Sequence, residues 1–307
     1  MSEHSPVTRR ELLAADTVAA VVGMSAAESP RKPIVNGRIK QSVVAWCFTA
    51  AGEKWSLDKT CEITKEFGVP SVEIVAPDDF PTLKKHGLTC AIAANGMPGT
   101  FKTGFNNPKY HDELVERMSK VIDGCAAFGC PSVIAFTGYK WHDPEDPKSG
   151  EISADEGADN CVKGLKRLMA HAEKKGVTVC IEHLNTRDDS HPMKGHPGYQ
   201  GDDLDYLAKI VRRVGSERMK LLFDVYHVQI MHGDVIRRLE QCKDLLGHIH
   251  TAGNPGRGEL DDKQEINFPP IMRKLLDLKY TGFVGQEFIP TRDPKAGLAE
   301  AIKLCDV

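Results

Sequence analysis

The stretch LLFDVYHVQIMHGD, residues 221–234, begins as an apolar run and leaves it through Asp224 and His227. Three other apolar runs end in the same way, at Glu182 in TVCIEHL, His250 in GHIHTA and Glu287 in GFVGQEFI. Three carboxylates and one imidazole make a donor set for a hard or borderline divalent ion, Mg2+, Mn2+ or Co2+, with positions left open for substrate oxygens. No cysteine stands at these places, so a thiolate-rich zinc site is excluded. An ion bridging the carbonyl and adjacent hydroxyl oxygens of a hydroxy-ketone or hydroxy-aldehyde acidifies the carbon-bound proton and stabilises a cis-enediolate. Two glutamates then carry the proton traffic. One removes the proton, and the other returns one to the neighbouring carbon, which is isomerisation, or to the opposite face, which is epimerisation.

Two further residues suit a substrate. His227 reads as a loop residue over the site, where a neutral imidazole bonds a substrate hydroxyl. Arg257 lies in NPGRGE, whose glycines and proline let a loop approach a ligand closely. A guanidinium there holds a substrate carboxylate bidentately; the structural alternative is an arginine bracing its loop through Glu259 or Asp261. In QEINFP, Glu265 is either a partner of the site's own ligands or the N-terminal charge of the next helix, and the second reading is preferred. His191 and His196, in the long loop TRDDSHPMKGHPGYQ, could reshape the pocket but read more readily as solvated. Lys102, Trp141 and His142 follow the third and fourth strands without an assigned role.

These side chains meet only if the elements that carry them converge. Strand-like runs fall at 42–48, 71–76, 90–95, 132–137, 178–184, 219–226, 247–252 and 282–289. Their unbroken apolar character suits parallel strands buried on both faces. Helical stretches lie between them, clearest at 110–128, 153–175, 202–214, 229–246, 268–279 and 294–305, with Gly176, Gly215, Gly247 and Gly282 marking the return to strand. Eight strands alternating with helices are the arithmetic of a single (β/α)8 barrel. An open doubly wound sheet lacks its usual support, since no G-x-G-x-x-G follows the first strand. A barrel demands that reactive groups gather at the C-terminal strand ends, and Glu182, Asp224, His250 and Glu287 close the fifth to eighth runs in turn.

Composition bounds the rest. The chain has 307 residues, 41% of them hydrophobic and 27% charged, enough for a sizeable core. A formal charge of -3 and the lack of a basic run argue against a nucleic-acid partner or an anionic membrane surface. The same charge and the small number of rim histidines set aside a barrel endonuclease. Nine scattered cysteines without C-x-x-C spacing read as reduced, packed residues. Residues 1–40 differ from the rest: Arg9 and Arg10, an apolar stretch from Leu12 to Met24 and Ser25-Ala26-Ala27 form a twin-arginine-type export signal followed by a linker. Two features depart from that pattern, Leu12 where it prefers Phe and Asp16 inside the apolar stretch. The expectation is export to the periplasm, with a cytoplasmic location otherwise, and a barrel over 41–307.

CIEHLNTR, FDVYHVQIMHGD, GHIH, NPGRGE, QEINFP and GFVGQEF together resemble the hydroxypyruvate isomerase family, within the xylose-isomerase-like group of metal-dependent barrels that also holds ketose 3-epimerases. The likeness covers about 42–305. It implies a divalent ion on Glu182, Asp224, His250 and Glu287, with Glu182 and Glu287 as the acid/base pair and His227 and Arg257 as substrate contacts. It implies a small sugar or hydroxy-keto acid as substrate, of the hydroxypyruvate and tartronate semialdehyde type, and a homodimer. The seventh-strand position, commonly glutamine in that family, is His250 here, and the strand ends at Gly253 where an aspartate is usual. Histidine is the habit of the epimerase relatives, so a ketose 3-epimerase is the nearest alternative. A lyase or dehydratase follows from the same proton abstraction. A non-catalytic binder would need no second glutamate.

Overall fold

The computed structural model describes Met1 and residues 33–50, 52–99, 101–190 and 193–307. The export signal read from the sequence, the first residues of its linker through Lys32, and His191 lie outside these residues. Within the described residues no helix is long and apolar enough to cross a membrane.

The strands are β1 (Lys40–Val44), β2 (Ser71–Glu73), β3 (Ser132–Ala135), β4 (Trp141–Asp143), β5 (Asp146–Glu151), β6 (Thr178–Glu182), β7 (Met219–Asp224), β8 (Leu246–Thr251) and β9 (Phe283–Gln286). Seven of them form one parallel sheet in the order β2-β1-β9-β8-β7-β6-β3. Between β2 and β3, where a strand is expected at 90–95, the chain is held by isolated parallel bridges, Ser71 to Thr89 and Ala93 to Val133. Hydrogen bonds from Ile74 N to Ile92 O and from Ala93 N to Ser132 O, both 2.9 Å, continue the ladder there. The ring therefore closes as a (β/α)8 barrel. Its lumen packs Ile92, Ile134, Phe136, Cys180, Leu184, Tyr199 and Leu222, and a larger core lies between strands and helices. All nine cysteines are free and buried.

Several local readings are corrected. The run at 42–48 is strand only to Val44, after which Ala45–Ala50 is helical. The helix expected over 229–246 is two, Val225–Met231 and Val235–Gln241, followed by a 3-10 turn. Gly233 and Asp234, at φ +62° and +50°, break it, because left-handed residues cannot continue a right-handed ladder. An exposed antiparallel hairpin, β4 with β5, was hidden by its charged composition. Gly176 and Gly215 are left-handed helix caps as expected. Gly247 instead lies inside β8, where a Cβ would stand 2.7 Å from Cys180 Sγ. Gly282 lies just before β9, where a Cβ would stand 2.4 Å from the Tyr280 hydroxyl.

The two ends of the barrel domain are tied together. The Asp306 carboxylate accepts from the backbone N–H groups of Val35, Asn36 and Gly37 at 2.5, 2.6 and 2.7 Å. Three charge-assisted bonds on one group make it the anchor of the segment before β1. Asp306→Ala should lower the stability of the chain by about 1–3 kcal/mol and reduce its thermal midpoint, measured by calorimetry, while Asp306→Glu recovers part of the loss.

Candidate metal and substrate site

Each member of the cluster owes its place to the end of a strand. Glu182 closes β6, Asp224 closes β7, His250 is the penultimate residue of β8, and Glu287 follows β9 directly. In the parallel register Asp224 stands opposite His250. One ligand atom from each of the four lies within 4.8 Å of the others, and none of the four residues is more than 4% exposed. His250 Nδ1 is 2.8 Å from Glu287 Oε2 and 3.5 Å from Glu182 Oε1.

Asp224 shows why a strand ends in an aspartate here. Its Oδ1 caps the helix Val225–Met231, accepting from Tyr226 N at 2.7 Å and His227 N at 3.4 Å. Its Oδ2 is left with no hydrogen-bond partner. So are Glu182 Oε1 and His250 Nδ1, all three buried. Buried polar atoms are normally satisfied, and three exceptions in one cluster mark a place built to receive something. The donor chemistry, three carboxylates and an imidazole without thiolate, fits a hard or borderline divalent cation.

Electrostatics divides the carboxylates. Burial raises Glu182, opposed by the His250 imidazole 3.5 Å away and reinforced by the charge of Glu287. Burial and then Glu287 push Asp224 up to about 8. Burial would raise Glu287 too, but Arg257 and His250 outweigh it and hold its carboxyl well below the usual range. Glu287 is also fully bonded: Trp46 Nε1 donates to Oε1 at 3.0 Å and Arg257 to Oε2 at 2.6 Å.

The two expected substrate contacts are present with changed settings. His227 lies in a helix rather than a loop and is fully buried. Its Nδ1 accepts from Asn185 N at 3.1 Å, so in the neutral ring the proton sits on Nε2, which has no partner and lies 3.6 Å from Asp224 Oδ2. Burial, then Arg257, holds the ring's pKa well below the usual value. Arg257 is 2% exposed rather than free in its loop. It donates to Glu287 and to Met193 O and lies over the faces of Trp46 and Tyr226, at 5.2 and 5.8 Å. Its Nε remains without a partner. Glu259 does not brace it; that carboxylate holds Thr291 and Arg292 instead.

A cavity of about 440 Å³ opens above Glu182 and Glu287. Trp46, Ile74, Phe101, Phe136, Leu184 and Ile289 wall it, with Asn95, His196 and Arg257 as its other polar groups. His196, read from sequence as solvated, is 2% exposed and packs against Phe101 with centroids 4.3 Å apart and the ring planes tilted by 54°. A loop that folds back over a barrel mouth is buried by tertiary contacts that its local composition does not announce. Trp46 and Asn185 were missed as well. The apolar surroundings of Trp46 hid its indole donor, while Asn185, three residues after Glu182, offered only its spacing. Glu265 is not a helix-end charge: it accepts from Asn254 at 2.6 Å and Gln229 at 3.1 Å. Lys102 turns to Glu145 at 2.8 Å.

Residues 58–306 match the family model described as xylose isomerase-like TIM barrel. The chain belongs to that family. Among the relatives it is similar to is the 2-oxo-tetronate isomerase of Cupriavidus necator, at 34% identity over 220 residues, 70% of this chain and 78% of that protein. Another is the hydroxypyruvate isomerase of Escherichia coli, at 31% over 137 residues, 45% of this chain and 50% of that one. In fold it is similar to an AP endonuclease, family 2, from Brucella melitensis, with a TM-score of 0.71 and 23% identity over 85% of this chain and 98% of that one.

The buried histidines predict an acid limit. Burial, then Arg257, pushes the His196 pKa down to about 3, and burial, then His232, does the same to His183. Below about pH 6.5 the unfolded chain binds protons that the folded rings refuse, so their contribution to stability is complete above that pH and falls as pH drops toward 3. His196→Gln should flatten the stability profile between pH 4 and 6 by about 1.4 kcal/mol per pH unit, read from urea midpoints across that window. An unchanged slope would refute the assignment.

Proposed function

We propose that this chain is an isomerase of a small hydroxy-carbonyl compound, of the hydroxypyruvate or 2-oxo-tetronate kind, that moves a proton between adjacent carbons using Glu182 and Glu287. The observation that carries this reading is the convergence of Glu182, Asp224, His250 and Glu287 within 4.8 Å beneath a cavity. When bound by these four residues, a divalent ion of the Mn2+, Mg2+ or Co2+ type would supply the positive charge that acidifies the carbon-bound proton beside a carbonyl.

The remaining work falls to the chain's own groups. Glu287, kept ionised by Arg257 and His250, is the carboxylate ready to take a proton, and Glu182, pushed upward by burial, is the one ready to hold and return it. Such a separation of two carboxyls by their surroundings assigns acid and base. His227 presents Nε2–H toward the substrate oxygens, fixed by Asn185 on its other nitrogen. Arg257 has Nε left for a substrate anion. Apolar walls keep water from the enediolate, so the abstracted proton returns to substrate rather than exchanging freely.

A second reading, a 3-epimerase of a ketose, is favoured by the cavity. About 440 Å³ holds the share of liquid volume of about 15 waters, room for a substrate longer than a three-carbon acid. The two differ only in where the proton is returned.

Deuterium incorporation followed by NMR in D2O decides between them. Loaded in turn with Mg2+, Mn2+ or Co2+, and separately after treatment with a chelator, the protein is offered hydroxypyruvate, 2-oxo-tetronate, fructose and tagatose, and the ion is removed before spectra are recorded. Label and product from either keto acid support the isomerase; label at C3 of a ketose moves the assignment to the epimerase; no exchange in any substrate with any of the three ions rejects both. Glu182→Gln and Glu287→Gln should each slow exchange by about 10²–10⁴-fold, with the chelated protein showing a similar loss. Excess Mn2+ should raise the thermal midpoint of the wild type and leave that of Asp224→Asn nearly unchanged.

A further inference from the structure

Beneath the cluster lies a further buried carboxylate that the reaction does not use. Glu73 ends β2, on the far side of β1 and β9 from β8, and is 0% exposed. Its Oε1 is 2.9 Å from His250 Nε2 and 2.9 Å from His248 Nε2. His248 and His250 are two apart on β8, so both rings face the same side of the strand. One carboxylate oxygen lying 2.9 Å from two ring nitrogens accepts from both, so the proton on each ring stands at Nε2.

Gly285 makes this contact sterically available. It is the β9 neighbour of His250 in register, and a Cβ there would stand 2.0 Å from Glu73 Oε1 and 2.8 Å from His250 Cδ2. No side chain fits between β2 and β8 at that level without displacing one member of the pair. The next residue after Glu73, Ile74, adopts φ +54°, an outlying conformation for a β-branched residue, as the chain turns from the lumen to the cavity wall.

We propose that Glu73 is the positioning residue of the cluster: it takes the Nε2 proton of His250 as hydrogen bond acceptor, fixes the ring's rotation with His248 as the opposing brace, and so presents Nδ1 as the ligand atom. The inference rests on the reading of Glu182, Asp224, His250 and Glu287 as a cation site. A carboxylate behind a ligating imidazole fixes its tautomer and raises its basicity. Glu73 therefore acts on affinity and selectivity for the ion without touching substrate.

The test uses the full chain and Mn2+ alone, titrated by calorimetry. Glu73→Gln is nearly isosteric but is a weaker acceptor, and it should weaken Mn2+ binding by about 10–100-fold with an unchanged circular dichroism spectrum. Gly285→Ala, which leaves Glu73 in place but separates it from His250, should shift affinity in the same direction. Independently, the His250 Nε2 proton in 15N-labelled protein should be downfield and protected from exchange, with or without Mg2+, and should move upfield in Glu73→Gln. Folded Glu73→Gln and Gly285→Ala proteins that bind Mn2+ like the wild type would overturn the proposal, as would a freely exchanging Nε2 proton. If the wild type binds no Mn2+, the cation reading of the four-residue cluster fails, and the proton signal still decides whether Glu73 holds His250.

Discussion

Three carboxylates and an imidazole cannot be brought within 4.8 Å of one another in a buried place without strong opposing charge, and most of this barrel's mouth follows from that constraint. Taking one ionised carboxyl out of water is costly, and taking several out together adds mutual repulsion. Arg257 is the principal answer. It is buried against Glu287 and clamped between two aromatic faces, so it lowers Glu287 and counters Asp224. Trp46 adds a neutral donor to the same glutamate. What these groups leave unsatisfied is confined to a few atoms, Glu182 Oε1, Asp224 Oδ2 and His250 Nδ1 among them, and they belong to the same cluster.

The barrel supplies this arrangement because parallel strands put equivalent residues at one level. Alternate residues face the lumen, so a residue at a strand's end is at the rim and the residue two before it is one layer down. His250 and His248 illustrate both positions on one strand. A polar layer beneath the rim is unusual in a lumen otherwise filled by Ile92, Ile134 and Leu222. Its presence gives the rim histidine a fixed back side. Asn185 does for His227 what Glu73 does for His250, so the two rim imidazoles are both oriented from behind.

Above the cluster the surroundings change from charged to apolar within one layer. Large apolar side chains, Trp46, Phe101, Phe136 and Leu184 among them, wall a cavity whose floor carries the two glutamates. Inside such walls electrostatic interactions are weakly screened, and the surroundings push the two carboxyls in opposite directions, Glu182 up by burial and Glu287 down through Arg257 and His250.

The sequence by itself determined the barrel, the order of its strands and the identity of the four converging residues. A buried parallel strand is a contiguous apolar run, and a reactive residue at its end interrupts that run at a legible place, as Glu182 and Asp224 do. Caps at Gly176 and Gly215 were legible for the same reason, since a left-handed residue is a local requirement. What only the tertiary structure decided are contacts between segments far apart in the chain. Glu73 and His250 are 177 residues apart and share a hydrogen bond across the lumen. Arg257 was legible as a cation in a loop, but its burial against Glu287 and its contacts with the rings of Trp46 and Tyr226 were not. His196 looked solvated because its neighbours in sequence are polar, while its neighbours in space are Phe101 and His227. Local pattern records which way a residue faces along its own element; which partner meets it there depends on the closure of the ring.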